Sequence, residues 1–193
     1  MYKLLKKKEI EKLRIRKYKK KDIIFHENDE CKYVSILISG EVIIKSNLVN
    51  GKEVIYNTIK ENMMFGHNLI FLENNRYLGD AIATKDSEVL FIDRDNLIQI
   101  LKHNKEFLNE FLKLQAKTTY ELNTKIKLLS FDLVYDRLMY YLEINNGVIK
   151  YDSITSLATN LFVQRETLSR LLTKLIKNKT ITKKDKKLIL NKH

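Results

Sequence analysis

The spacing of apolar side chains divides the chain into a β-rich first half and a helical second half. Residues 22–93 alternate apolar and polar positions, as in KYVSILISGEVIIKS and DAIATKDSEVLFID, and a period of two is typical of half-buried strands. Turn signals separate these runs at Gly40, Asn50-Gly51 and Lys85-Asp86-Ser87. Several short strands at this spacing predict a sandwich or a barrel-like roll.

From about Asp95 the apolar period becomes that of a helix. The run DNLIQILKHN predicts a short helix, and the next run predicts a long helix over about 105–129. Along the long helix a stripe of residues, here called the seam, recurs at alternating steps of four and three: Leu108, Leu112, Gln115, Thr119, Leu122, Ile126 and Leu129. Such an a/d pattern favours pairing with a second helix, although a similar stripe also packs helices onto their own domain. The length of the seam, with polar Gln115 and Thr119 at its centre, favours a homodimer.

The C-terminal third predicts a compact helical module that ends in a hairpin. Ser130-Phe131-Asp132 interrupts the periodicity and predicts a hinge. A helix follows and is ended by Asn145-Asn146-Gly147; its apolar face contains Val134, Leu138, Tyr141 and Leu142. The alternating tail ITKKDKKLILN predicts a two-stranded wing.

Between these elements lie two short amphipathic helices. Asp152-Ser153 can cap the first, whose apolar residues are Ile154, Leu157, Ala158 and Leu161. After Phe162-Val163-Gln164 the second begins as RETLSRLLTKLI, with an apolar stripe opposite a polar face formed by Glu166, Ser169, Arg170 and Thr173, and with Arg165 at its exposed first turn. Two short helices joined by a tight turn predict a helix-turn-helix.

The residue types on that polar face fit DNA recognition. Arginine can donate two hydrogen bonds to guanine and glutamate can accept one from cytosine, so the candidate DNA-binding residues are Arg165, Glu166, Ser169, Arg170 and, in the wing, Lys183. A Glu166–Arg170 pair at i, i+4 is also common on ordinary helix surfaces. The net charge of +12 divides into +9 over 1–21, −5 over 22–152 and +8 over 153–193. A basic module with this motif predicts a DNA partner.

Other classes of protein find little support in the residues. No stretch is long and apolar enough for a membrane helix, and the N-terminus shows no signal-peptide pattern, so we expect a cytoplasmic protein. A single cysteine, Cys31, cannot hold an iron–sulfur cluster. The four histidines show no metal-ligand spacing, and no phosphate-binding loop or nucleophile elbow occurs, so we expect no enzyme and no resident metal site.

The segment LATNLFVQRETLSRLLTKLIKNKTI resembles the DNA-binding segment of the Crp/Fnr family of bacterial transcription regulators. The resemblance extends from about Asp22 through ILISGEV, the FGH segment at 65–67 and DSEVLFIDRDNLIQIL. It implies an α+β fold with an N-terminal antiparallel β-roll, similar to the cyclic-nucleotide-binding jelly roll, a long dimerisation helix and a C-terminal winged helix-turn-helix. The corresponding domains are 1–103, 104–131 and 132–193.

For the DNA-binding segment, the resemblance implies that Arg165, Glu166 and Arg170 contact bases in half-sites close to TGTGA. One residue departs from the family pattern. Where the family usually has glycine in the turn, this chain has Phe162, which would be strained at a positive φ.

For the roll, the resemblance implies an effector pocket formed by Phe65, Gly66, His67, Arg76, Tyr77, Leu122 and Asn123. Cyclic-nucleotide members carry Glu and Arg where this chain has His67 and Tyr77, so we expect a different effector. A cyclic nucleotide stays an alternative, because the neighbouring Arg76 could pair with its phosphate. The family's haem-based carbon monoxide sensor places a ligating histidine at the same corner as His67. This keeps haem open as a cofactor, beside the simpler interpretation of His67 as an ordinary pocket residue.

Two functional hypotheses follow. The first is a homodimeric DNA-binding regulator controlled by a small effector, with RNA polymerase as a further candidate partner. The second is a haem- or other ligand-binding sensor in which the C-terminal module does not recognise DNA. The motif and the +8 charge of residues 153–193 favour the first.

Overall fold

The computed structural model describes residues 1–47, 51 and 53–191. Its contacts divide the chain into two compact units, Met1–Lys117 and Thr118–His193. The boundary falls inside a long helix, which therefore contributes residues to both units. The predicted division into three domains, with boundaries at 103/104 and 131/132, stays a prediction.

The first unit is a β-roll with helices at both ends. After a 3-10 turn (Tyr2–Leu4) come α1 (Lys7–Ile10), β1 (Arg14–Tyr18), β2 (Ile23–Phe25), β3 (Tyr33–Ser39), β4 (Val42–Asn47), β5 (Glu53–Ile59), β6 (Met64–Phe65), β7 (Asp80–Ala83), β8 (Ser87–Asp93), α2 (Arg94–His103) and α3 (Lys105–Leu129). The strands form two antiparallel four-stranded sheets, ordered β1-β8-β3-β6 and β2-β7-β4-β5. The predicted antiparallel roll and the α+β class are confirmed.

Strand β3 shows why this sequence forms a layered unit. Its residues 34–37 are all buried, so the strand is covered on both faces. Val34 and Ile36 belong to a core shared with Phe107 and Phe111 of α3. Leu37 belongs to a second core that contains residues of both sheets: Val42, Ile59, Phe65, Ala81 and Val89. Burial of a large aliphatic side chain stabilises the fold by about 1.5–3 kcal/mol.

The β structure begins earlier than the sequence predicts. We expect strands from residue 22 onward, but the basic N-terminal segment already supplies β1, whose residues Arg14–Tyr18 pair with β8. The predicted turn at Gly40 adopts a positive φ of 96°. The Asn50 half of the Asn50-Gly51 turn lies outside the described residues.

The second unit is built around two short helices and a hairpin. It contains the end of α3, then α4 (Val134–Ile144), β9 (Val148–Lys150), α5 (Ile154–Asn160), α6 (Arg165–Lys177), β10 (Ile181–Lys184) and β11 (Lys187–Leu190). The hairpin β10–β11 agrees with the two strands predicted in the tail, and β9 adds a third strand in the order β10-β11-β9. Its core contains buried residues from every one of these elements: Leu128, Leu138, Leu142, Ile149, Leu157, Ala158, Leu161, Leu168, Leu172, Leu175, Ile181 and Leu188.

Within the described residues, no helix is long and apolar enough to cross a membrane.

Candidate functional site

Helix α5 is fixed at both ends by local hydrogen bonds. At its start the Ser153 hydroxyl accepts a hydrogen bond from the Ser156 backbone N–H at 3.0 Å, while the Ser156 hydroxyl accepts one from the Ser153 N–H at 3.1 Å. At its end the Phe162 N–H donates to Thr159 O and the Val163 N–H donates to Ala158 O, at 3.1 and 3.0 Å. This second pair forms a Schellman motif, which ends a helix with one left-handed residue. The tight turn before α6 is therefore set by α5.

The left-handed residue of this motif is Phe162, with φ of +55°. Glycine normally occupies that position because a Cβ in the left-handed region approaches the following carbonyl oxygen. The departure noted in the sequence thus falls on the one turn position where a side chain is unfavourable. The turn keeps its shape in spite of the phenylalanine.

The strain at Phe162 predicts an unusual order of stability. Phe162→Gly and Phe162→Ala both remove the aromatic ring, but only glycine adopts the left-handed conformation without strain. We therefore expect Phe162→Gly to be more stable than Phe162→Ala by about 1 kcal/mol. Urea unfolding of the two variants measures this difference. Equal stabilities, or a more stable alanine variant, would mean that the backbone at residue 162 is not left-handed.

Helix α6 buries one face and exposes the other. Leu168, Leu172 and Leu175 are buried in the core of the second unit. The predicted DNA-contacting residues Arg165, Glu166, Ser169 and Arg170 are all exposed, as is Thr173. The ion pair on this face joins Arg165 Nη1 to Glu166 Oε1 at 3.9 Å. Arg170 is also exposed, one helical turn after Glu166.

A second basic surface lies in the hairpin after α6. Lys183 of β10 is exposed, and so are its neighbours Lys184, Lys186 and Lys187. The reversal of the chain occurs at Asp185, whose φ is +52°, a conformation that aspartate tolerates better than most residues. The hairpin therefore presents several lysines close together in the chain.

The seam of α3 is largely uncovered. The exposed fractions are 56% for Leu112, 50% for Leu122, 66% for Ile126 and 53% for Leu129. Thr119 is also exposed, whereas Leu108 and Gln115 are half-buried. Other side chains of α3, including Phe107, Phe111 and Leu128, fill the two cores. A row of exposed large apolar residues on one helix face is typical of a protein–protein interface.

In the predicted effector pocket, Gly66 and Tyr77 lie close together and Phe65 is buried beside them. A Cβ added to Gly66 would lie 3.7 Å from the Tyr77 ring and 3.1 Å from the Tyr33 carbonyl oxygen. Tyr77 itself is buried and stacks on Phe25, with ring centroids 3.5 Å apart and planes 8° apart. Burial raises the pKa of the Tyr77 phenol, so this group is neutral at physiological pH. The Tyr77 position is filled by an aromatic stack.

The other residues of the predicted pocket have distinct environments. His67 is 8% exposed, burial lowers the pKa of its imidazole, and its carbonyl oxygen accepts a hydrogen bond from Gln115 Nε2 at 3.3 Å. Arg76 is exposed, and its Nη1 donates to Asn28 O at 2.7 Å. Leu122 and Asn123 are exposed on the part of α3 that belongs to the second unit.

Known proteins resemble this chain in sequence and in fold. The profile of the cyclic nucleotide-binding domain matches residues 15–104. The chain is 26% identical to the anaerobic regulatory protein of Bacillus subtilis over 112 residues, which are 58% of this chain and 47% of that protein. It is 24% identical to the cyclic AMP receptor protein of Thermus thermophilus over 156 residues, 77% of this chain and 70% of that one.

A solved structure extends the likeness in fold over both units. A CooA mutant from Carboxydothermus hydrogenoformans superposes with a TM-score of 0.63 at 22% identity, covering 95% of this chain and 85% of that chain. The chain thus contains a match to the cyclic nucleotide-binding domain and is similar in sequence and fold to transcription regulators of the Crp/Fnr type. The chain spans about half the length of the Bacillus regulator.

Two structural features of this chain could not be predicted from its sequence. The stack of Tyr77 on Phe25 joins residues far apart in the chain, and no local pattern predicts it. Arg137 of α4 donates hydrogen bonds to carbonyl groups of two other segments, whereas in sequence it is one polar residue in an amphipathic helix.

Proposed function

We propose that the chain is a homodimeric DNA-binding regulator whose β-roll responds to a small effector. The observation that carries the proposal is the exposed polar face of α6, with Arg165, Glu166, Ser169 and Arg170 opposite a buried leucine stripe. A helix that packs by one face and presents Arg and Glu on the other has the shape and chemistry for the major groove. The lysines of the hairpin supply contacts to backbone phosphates.

The exposed seam of α3 supports the dimer. Two copies paired along this seam would present two copies of α6, and a symmetric dimer binds two half-sites about 34 Å apart, one helical turn of DNA. Effector binding would then act by changing the spacing of the two recognition helices. RNA polymerase is a further partner for a regulator of this kind.

The test is selection of binding sites from a randomised duplex pool with the purified protein, followed by a salt titration of the enriched sequence. We expect a two-fold symmetric site with halves close to TGTGA and a linear decrease of log affinity with log salt. Failure to bind any duplex at low salt would favour the alternative, a ligand-binding sensor whose C-terminal module does not recognise DNA. The absorption spectrum of the same preparation reports any bound haem.

We further propose that the effector is not a cyclic nucleotide. The position at which cyclic-nucleotide members carry arginine holds Tyr77, which is buried against Phe25. Arg76 is exposed and bonded to Asn28 O instead. A phosphate placed at this corner would therefore lack its charged partner.

Cyclic AMP is accordingly expected to leave the melting temperature unchanged. A ligand present at a hundred times its Kd stabilises the native state by about 2.7 kcal/mol, an increase that thermal unfolding detects readily. The measurement compares melting curves with and without millimolar cyclic AMP, with the Thermus protein as a positive control for the nucleotide. A raised melting temperature would mean that the chain binds cyclic AMP although Tyr77 occupies the position of the phosphate-binding arginine, and it would overturn the proposal.

A further inference from the structure

One arginine joins two segments of the second unit that lie far apart in the sequence. Arg137, in the first half of α4, donates from Nε to the Phe131 carbonyl oxygen at 2.9 Å. From Nη1 it donates to the Phe162 carbonyl oxygen at 2.9 Å and to Leu161 O at 3.4 Å. Phe131 follows the end of α3, and Phe162 is the left-handed residue of the turn before α6. We refer to these contacts as the Arg137 bridge.

The chemistry of the bridge suits a guanidinium group in particular. The Schellman motif at the end of α5 uses the carbonyls of Ala158 and Thr159, while those of Leu161 and Phe162 accept hydrogen bonds from Arg137. A cation bound there also interacts favourably with the negative end of the helix dipole. Arginine has donors in fixed directions on one planar group, whereas lysine has a single charged nitrogen. Nε and Nη1 are separate donors held in fixed directions, so they can bind the two carbonyl groups in a geometry that the single nitrogen of lysine does not reproduce.

The other side of the bridge is attached firmly to the long helix. Leu128 is 1% exposed in the core of the second unit. Lys127 Nζ lies 4.5 Å from the centroid of the Tyr140 ring, and the Phe131 ring packs 5.5 Å from the same ring. Residues 127–131 are thus fixed to α4 by side-chain contacts on several sides. The hinge at Ser130–Asp132 stays a prediction.

We infer that Arg137 is a positioning residue for DNA recognition, because it couples the end of α3 to the turn that orients α6. A displacement of Phe131 moves the guanidinium group, and this group holds the carbonyl of Phe162, three residues before Arg165. The orientation of the recognition helix therefore depends on the long helix through one side chain. This inference rests on the proposed DNA-binding function and identifies Arg137 as the residue that fixes the orientation of α6.

The test uses Arg137→Lys, which keeps the positive charge but replaces the two donor atoms Nε and Nη1 by one nitrogen at the end of a flexible side chain. Affinities are measured for the enriched duplex and for a random duplex, each over a range of salt concentrations. We expect the affinity for the enriched duplex to fall about tenfold or more, with the affinity for random DNA and the salt dependence of both unchanged. If Arg137 is needed only for folding, the substitution lowers the melting temperature, and the folded fraction keeps the wild-type ratio of the two affinities.

Lys150→Gln serves as a control, since Lys150 is exposed on β9 of the same unit and its loss changes only the charge. We expect it to weaken binding to both duplexes equally. A folded Arg137→Lys protein with the wild-type affinity ratio would overturn the inference while leaving the proposed function intact. A wild-type protein that enriches no sequence would instead remove the proposed function on which the inference rests.

Discussion

Ile126→Glu is expected to convert the protein from a dimer to a monomer and to lower its affinity for a two-fold symmetric site by about a hundredfold or more. Ile126 lies on the seam and is 66% exposed in the single chain. In a symmetric pair of helices each seam residue approaches the same region of the partner helix, so the substitution would place two carboxylates close together in an apolar interface. The affinity falls because, in a monomer, binding of one recognition helix to its half-site no longer holds a second recognition helix close to the other half-site.

The matched control is Tyr120→Glu. Tyr120 is 61% exposed, lies on the same helix but off the seam, and its replacement also adds one negative charge. Sedimentation analysis reports the oligomeric state, and a titration with the symmetric duplex reports the affinity. We expect Tyr120→Glu to remain a dimer with nearly wild-type binding. If Ile126→Glu also stays dimeric, the seam is not the interface, and the exposed leucines of α3 need another partner.

The seam illustrates which parts of the fold a single sequence can predict. The sequence predicts the long helix over about 105–129, because its apolar period persists over many turns, and the helix spans Lys105–Leu129. The change from strand to helix near Asp95 is equally clear, since α2 starts at Arg94. Long, regular patterns of this kind contain enough repeats to distinguish a period of 3.6 from one of two.

Short or exposed elements contain too little pattern to be recognised. Strand β1 has four exposed residues and one half-buried residue. Its sequence is part of a basic segment that contains Arg14, Arg16 and Lys17, so it shows no strand pattern. It forms because β8 offers a free edge for hydrogen bonding, and such an edge is a property of the folded sheet. Strand β9 has three residues with only Ile149 buried. No local alternation can identify a strand of that length.

The candidate site divides in the same way. The polar face of α6 and the departure at Phe162 follow from residue types at known spacing, and the positive φ of Phe162 agrees with the predicted strain. The contacts of Arg137 and the stack of Tyr77 on Phe25 depend on which segments meet in three dimensions. The sequence therefore predicts the exposed polar face of α6, which we propose as the DNA-binding surface, but it does not predict contacts between distant segments.

Arg170→Ala is expected to weaken binding to the selected site by about 1–3 kcal/mol and to relax the preference at one base pair in each half-site. Arg170 is exposed on the polar face of α6, one turn beyond Glu166. A guanidinium group at this position can donate two hydrogen bonds to one guanine, and alanine can donate none. Affinities for the selected duplex and for its single-base-pair variants measure both effects.

Lys183→Ala provides the comparison, because Lys183 is equally exposed but lies in the hairpin. A lysine that contacts phosphate contributes to every sequence alike, so its loss is expected to weaken all duplexes uniformly and to reduce the salt slope by about one unit. The two variants therefore differ in pattern as well as in magnitude. If Arg170→Ala also weakens all duplexes by the same factor, Arg170 contacts the DNA backbone, and the base-specific contacts of α6 must come from Arg165 and Glu166.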